Sequence, residues 1–550
     1  MRSVTLYVLS LIFVILSFSP SLYEIYRSNK IPPERTFTLE HNYLFDYNFY
    51  LSRIRQGIEG NWQVVEKYYN REHSGSLFQI LYLGLGKIGG IFRLSPPIIY
   101  HLSRIVFGYI FLVAAGRYFL KLFPGWWSIV AFLFAVTAGS WPILIKIGEN
   151  YRFATYMGWW SAVDSLQRIT FIPHVLFGQI FLLLFVWYYS SRVTRYLIGG
   201  LIGLFIGIVF PPTLIVVYAV FGVLSVLEFS LVRSHLARLE WFKRQILPRL
   251  LFIFLSFPSL IYLKKMFQIL PWSALALFDI QHRMPLPYRE YALALGPVLP
   301  LGLLGMILAF IKKEKKLFPS IAWVLAVVIL IVVFERVPEQ SPLRWTEASV
   351  HIPLGILTTY LFIFLWQFTH NCKRSLINVC RNGIRLAITV IIVMGLGVMG
   401  SMVLWLTDQA RWKSEGTWAV PIGAQLVYPL RDFMSGVYYL RDNTKRGEVV
   451  LTYVTAGNFI PAYAGNFVFI GHANTPDEDT KEKIAAEFFS GKMKREEAYN
   501  FLKSENISYI YFGPQEREIG QFSDLKQLYP FLDMIYSNKQ VKVYKVDKSP

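Results

Sequence analysis

LEHNYLFDYNFYLSRIRQGIEGNW, residues 39–62, follows the first apolar segment of the chain and places a single aspartate, Asp46, at the head of an amphipathic run. Tyr47, Tyr50, Leu51, Ile54 and Ile58 recur at helical spacing, and Asn48, Arg53, Arg55, Gln56 and Glu59 take the other side. The pattern predicts a helix lying on a membrane surface, closed by Gly57 or Gly60, with Asp46 at its N-terminus where water meets lipid.

The rest of the chain supplies the membrane. Of 550 residues, 54% are hydrophobic and only 16% charged, against about 25% charged in soluble domains. Apolar runs fall at 4–20, 99–120, 125–146, 172–189, 196–210, 212–229, 247–265, 290–311, 318–335, 350–368 and 386–407. The run Val4–Phe18 lacks a small-x-small cleavage pattern and reads as a retained anchor. The run 76–92 is short, glycine-rich and interrupted by Lys87, so it reads as a second interfacial helix. Pro211-Pro212 splits 196–229 into two crossings.

The net charge of +20 concentrates in loops: Arg233, Arg238, Lys243 and Arg244; Lys312, Lys313, Lys315 and Lys316; Lys373, Arg374, Arg381 and Arg385. Such loops orient a membrane protein and meet anionic lipid, and no nucleic-acid motif accompanies them. Positive-inside orientation makes these loops cytoplasmic and gives about eleven crossings of the plasma (inner) membrane, N-terminus in the cytoplasm and C-terminus outside. Cys372 and Cys380 then lie on the reducing side, and no disulfide is expected.

The expected fold is therefore a polytopic α-helical membrane protein with a C-terminal extracytoplasmic α/β domain. Residues 1–408 form the transmembrane core, with a large first outer loop, 21–98. Residues 409–550 form the soluble domain, with strands in GEVVLTY, NFVFIG, ISYIYFG and VKVYKV and helices near 477–490, 494–504 and 521–530. His472, at a strand end, could face a ligand or be an ordinary loop histidine. GLGKIGG, 84–90, imitates a dinucleotide fingerprint but opens no βαβ unit. Asp477-Glu478-Asp479 imitates a nucleotide-sugar motif but better begins a helix. The spans carry few ionisable residues, Arg104 and Arg117 being the main exceptions, and polar side chains gather at the outer boundary. That favours surface chemistry over passage through the membrane.

The ordinary reading of Asp46 is a helix N-cap, which would leave one carboxylate oxygen free. A second reading comes from resemblance. The stretch DYNFYLSRIRQGIEGNWQVVEKY, with SPPIIYHLSR at the start of the second span, resembles the first outer loop of bacterial GT-C membrane glycosyltransferases related to the dolichyl-phosphate-mannose protein mannosyltransferases. The resemblance implies a polyprenyl-phosphate sugar as donor and a loop carboxylate that binds the acceptor or acts as base; Asp46 is the matching position. Relatives often carry a second acid beside the first, whereas here Phe45 and Tyr47 flank Asp46 and the nearest other acid is Glu40, next to His41.

With such a donor, an anionic phosphate leaves and needs cations at the outer ends of the spans. Arg344, Arg168, His174 and His351 are candidates. For each the alternative is an interfacial side chain or an ion pair, Arg344 with Glu347 or Arg168 with Asp164. Glu40, His41, Glu72 and His73 complete the candidate substrate-binding set; Glu72-His73 could hold a divalent metal or the acceptor, or form a solvated loop. The expected reaction is inverting sugar transfer from a polyprenyl-phosphate donor to a glycan, lipid or protein acceptor outside the membrane, with Asp46 as base. A transporter of polyprenyl-linked saccharides and a non-catalytic envelope-assembly scaffold are the alternatives.

Overall fold

The computed structural model describes residues 2–187, 193–232, 234–369, 377–417 and 427–547. Arg233, Cys372, Lys373 and Arg374, used above to orient the chain, lie outside the described residues. The helices are α1 (Arg2–Arg27), α2 (Leu44–Ile58), α3 (Ile80–Ile91), α4 (Pro96–Leu122), α5 (Trp127–Thr137), α6 (Pro173–Trp187), α7 (Val193–Val209), α8 (Pro211–Phe229), α9 (His235–Trp241), α10 (Leu247–Ser256) and α11 (Pro258–Met266). They continue with α12 (Trp272–Gln281), α13 (Tyr288–Ala294), α14 (Val298–Ile311), α15 (Phe318–Phe334), α16 (His351–Phe368), α17 (Ile377–Glu415), α18 (Arg431–Asn443), α19 (Val454–Tyr463), α20 (Glu478–Phe489), α21 (Arg495–Ser504) and α22 (Pro514–Gly520).

Among the described residues seven helical stretches are long and apolar enough to cross a membrane, or eight if α13 and α14, bent by 86°, form one span. The remaining apolar runs fall on the shorter helices α5, α6 and α7. One run needs correction. The segment 125–146 is not helical throughout: α5 ends at Thr137, and β1 (Ile143–Ile147) pairs antiparallel with β2 (Asn150–Ala154). Pro142 denies the helix a donor and biases Trp141 toward extended backbone, and the ILIKI that follows suits a strand. The break at Pro211-Pro212 is present, with Phe210 non-helical between α7 and α8.

Two compact units emerge. The first comprises Met1–Pro20, Ser103–Tyr262 and His282–Leu406. Its core is a continuous apolar cluster drawn from α1, α4–α6, α8 and α14–α17. Gly203 of α7 serves close packing, since a Cβ there would meet Ser256 at 2.8 Å.

The second unit comprises Ser21–Leu102, Leu263–Gln281 and Thr407–Pro550, so the first loop packs with the C-terminal region. Its five-stranded sheet has the order β4-β3-β5-β7-β6. β3 (Val449–Leu451) is parallel to β4 (Phe467–Val468) and to β5 (Ile507–Phe512), and β7 (Lys542–Val546) is antiparallel to β5 and to the edge strand β6 (Leu532–Ser537). The four strands read from the sequence are present, as are the helices near 477–490 and 494–504; the helix expected near 521–530 is only a 3-10 turn at Leu525–Gln527, and β6, α18, α19 and α22 have no counterpart in the sequence reading.

The polar side of α2 does not face water. Asn48, Arg53 and Gln56 are buried. Asn48 Nδ2 donates to Asn458 Oδ1 at 2.7 Å, Arg53 pairs with Glu66, and Gln56 bonds the Val65 backbone in both directions. On the other side α2 meets α3 so closely that a Cβ on Gly57 would strike the Leu83 carbonyl and one on Gly86 the Ile54 carbonyl. GLGKIGG is thus a helix-packing surface. Gly60, at φ +97°, supplies the left-handed residue just past the C-cap. α3 leaves Ile88, Ile91 and Phe92 exposed, and Trp62 is exposed beneath the Lys87 ammonium.

Candidate functional site

Asp46 sits in the first turn of α2, but it is not the N-cap. That position belongs to Tyr43, which makes no side-chain cap bond, and Asp46 is the third helical residue. A carboxylate there still gains from the positive end of the helix dipole, while its oxygens are not consumed by capping. The side chain is 50% exposed. Burial, then the charges of Asp46 and Glu478, raises the pKa of the neighbouring Tyr43 phenol.

Within the same unit, a residue from the C-terminal region meets Asp46. The Nε2 atom of His472 lies 3.6 Å from Asp46 Oδ1, and the imidazole is 4% exposed. Its ring stacks on Phe49 at 4.6 Å and tilts against Tyr68 at 5.3 Å. Phe49 is three residues beyond Asp46 on α2, hence on the same face; the helix that presents the carboxylate also carries the platform for the imidazole. The loop bearing His472 is held by a close crossing: a Cβ on Gly457 of α19 would run into the Ile470 carbonyl and come within 2.8 Å of Gly471 Cα. Asn458, next on α19, receives Asn48 and donates to the Phe45 carbonyl at 3.3 Å, tying α19 to the first turn of α2.

The other candidates of this unit are engaged elsewhere. Glu40 is buried, receives Thr38 Oγ1 at 2.9 Å and pairs with Lys413 at 2.8 Å; Lys413 also reaches Glu24 at 3.3 Å. It belongs to an internal ion network, not to a face open to substrate. His41 Nδ1 bonds the Tyr100 hydroxyl at 3.0 Å. His73 is a loop staple, with Nδ1–H donating to the Arg71 carbonyl at 2.8 Å and Nε2 accepting the Glu66 amide at 3.0 Å. Glu72 is exposed beside it. Among the described residues no three His, Cys, Asp or Glu converge as a metal-binding group.

In the first unit Arg168 is committed to backbone. Its Nη2 donates to the carbonyls of Ala135, Val136 and Ala138 at 3.2, 3.0 and 2.6 Å, closing the C-terminal end of α5. Burial brings its pKa down to about 10, against the opposing pull of Asp164. That geometry answers the sequence ambiguity, because a helix C-terminus takes the cation a phosphate would take. His351 is buried against Phe111. Arg344 is the partly open cation, its side chain 31% exposed, with Nη1 facing both Glu347 oxygens at 3.2 and 3.4 Å. It lines a narrow pocket with Gln179, Phe210, Thr213 and Trp345. His174 packs on Phe210 at 5.4 Å, within electrostatic range of Arg344.

No family model matches the chain, and no curated protein matches it in sequence. Solved structures do. ArnT from Cupriavidus metallidurans in the apo state matches with TM-score 0.51 and 11% identity, covering 98% of this chain and 97% of that one. The same protein bound to undecaprenyl phosphate matches with TM-score 0.50 and 10% identity, covering 98% of each chain. The archaeal oligosaccharyltransferase AglB from Archaeoglobus fulgidus, in complex with an inhibitory peptide and a dolichol-phosphate, matches with TM-score 0.49 and 11% identity over 98% of this chain and 74% of that one. Identities this low speak to fold alone, and on that level the resemblance carried by the first outer loop is borne out: the chain has the GT-C fold of polytopic membrane glycosyltransferases.

Proposed function

We propose that the protein is an inverting glycosyltransferase that moves a sugar from a polyprenyl-phosphate donor to a glycan, lipid or protein acceptor outside the plasma membrane, with Asp46 as general base. The observation that carries this reading is a half-exposed carboxylate, free of capping duty, at the head of a helix otherwise buried on both sides, in a chain of GT-C fold. In one displacement the acceptor oxygen attacks the anomeric carbon, its proton passes to Asp46, and the bond to the lipid phosphate breaks with its electron pair on the phosphate oxygen. A single displacement inverts the anomeric centre. A prenyl chain confines the donor to the bilayer, which is why a base for it belongs at the membrane boundary. ArnT, of the same fold, has been seen with undecaprenyl phosphate. Within the first unit Arg344 is the cation we assign to a lipid phosphate, since its side chain is 31% exposed and lines a largely apolar pocket, whereas Arg168 and His351 are buried. On this reading the N-terminus is cytoplasmic and residues 409–550 lie outside.

Asp46→Asn tests the assignment. Because Asp46 is not the N-cap, the change forfeits only the dipole term, about 0.3–1 kcal/mol, and the fold should survive. Loss of a general base lowers turnover by about 10²–10⁴. The assay is release of undecaprenyl phosphate from a panel of undecaprenyl-phosphate-linked radiolabelled hexoses, with envelope extract as acceptor. Wild-type turnover in a well-folded Asp46→Asn protein would remove Asp46 from the chemistry.

A further inference from the structure

His472 has two ring nitrogens in contrasting situations. Nδ1 accepts the backbone N–H of Asn474 at 3.0 Å, so it carries no proton. In the neutral ring the proton therefore sits on Nε2, a tautomer assigned from the hydrogen-bond pattern. Nε2 is buried and makes no hydrogen bond among the described residues. A buried donor without an acceptor is uncommon, and the atom it faces is Asp46 Oδ1. Their 3.6 Å separation lies just outside hydrogen-bond range. Asp46 is half exposed and can close the gap by side-chain rotation; His472 cannot, because Phe49 and Tyr68 fix its ring.

We propose that His472 is the positioning residue for Asp46: its Nε2–H holds one carboxylate oxygen in place and leaves the other open to the acceptor hydroxyl. This rests on the assignment of Asp46 as base. His472 takes no proton from Asp46 in this arrangement, since its only lone pair, on Nδ1, is occupied by the Asn474 amide. It acts by fixing where the carboxylate points. The same contact makes the C-terminal region a participant in the reaction, because without its 471–474 loop the base is unconstrained.

Two substitutions separate the nitrogens. In His472→Gln the side-chain amide N–H reaches the place of Nε2 and can still donate to Asp46. In His472→Asn the polar group stays near Nδ1, able to serve the Asn474 amide but too short to reach Asp46. Full-length variants are purified, checked for thermal unfolding, and assayed for undecaprenyl phosphate release from the undecaprenyl-phosphate hexose on which the wild type is active. Positioning predicts that His472→Asn loses about 10- to 100-fold in kcat with KM little changed, that His472→Gln retains most of the rate, and that His472→Asn adds nothing in the Asp46→Asn background. A mere loop staple reverses the order, with Asn tolerated and Gln impaired, and overturns the proposal. Equal loss in both variants overturns it too, as does additivity with Asp46→Asn. If Asp46→Asn is inactive while both His472 variants are fully active, the base assignment stands and only the role of His472 falls. If Asp46→Asn is silent, both fall.

Discussion

Replacing Gly457 with alanine asks whether the crossing of α19 over the 470–472 backbone sets the position of His472. Gly457 is inside a helix, where alanine ordinarily adds about 1 kcal/mol of stability over glycine. Here the added Cβ would collide with the Ile470 carbonyl and stand 2.8 Å from Gly471 Cα and 2.9 Å from the Ile470 carbonyl carbon. Comfortable carbon contacts lie near 3.5–4.0 Å, so the backbones must part by roughly 1 Å. Overpacking of this kind costs about 1–3 kcal/mol, and after the helix-propensity gain the net loss is about 0–2 kcal/mol. Stability alone is therefore a weak readout. The rate is a strong one, because Gly471 adjoins His472 and a shift of about 1 Å at a catalytic constellation can cost about 10²-fold. Thermal unfolding and release of undecaprenyl phosphate from its hexose conjugate would be measured together. Gly84→Ala is the control: it lies in α3 with nothing within 4 Å of its Cβ position, and should gain stability at unchanged rate. A Gly457→Ala protein as stable as the Gly84→Ala control and fully active would refute the claim that this crossing positions the loop.

Glu40→Gln leaves the buried Lys413 with Glu24 at 3.3 Å and should cost less than the about 3–5 kcal/mol of a fully broken buried pair, yet leave substrate affinity intact; a stable variant with weakened binding would return Glu40 to the substrate site. Arg344→Lys keeps a counter-charge for the buried Glu347 while losing the guanidinium fork. Binding of undecaprenyl phosphate, measured directly, should weaken about 10-fold, the low end of a charge-assisted contact, and unchanged affinity moves the phosphate elsewhere. For orientation, exposed Lys494 and Lys313 can each be changed to cysteine in a background with Cys372 and Cys380 replaced by serine. Labelling of Lys494→Cys in intact cells and of Lys313→Cys only after lysis is expected; the opposite pattern would invert the topology and remove the lipid-donor argument.

The bundle was legible because its signal is local. Each apolar run declares itself within about 20 residues, and the one misreading, 125–146, came from letting hydrophobicity outweigh Pro142. Asp46 stands out as a candidate for a similar reason, the single aspartate of the stretch where an apolar chain first meets water. What surrounds it was not. The polar side of α2 looked like a solvated face because Asn48, Arg53 and Gln56 have the composition of one; only the fold shows that Asn458, Glu66 and the Val65 backbone cover them. α19 escaped notice because Gly457, Asn458 and Pro461 argue against a helix, and its tertiary packing overrides them.

Those same unfavourable residues shape the surroundings of Asp46. Gly457 lets α19 approach the loop bearing His472, and Asn458 ties α19 to the first turn of α2. Arg168 carries the converse lesson. A cation before an apolar helix has the same sequence appearance whether it meets a phosphate or a helix C-terminus, and only its three carbonyl partners tell the two apart. Residue type thus identifies which groups can do chemistry. Whether they are free to do it depends on what already occupies their hydrogen-bonding atoms, and by that criterion Asp46 is open among the described residues, and Glu40, His73 and Arg168 are closed.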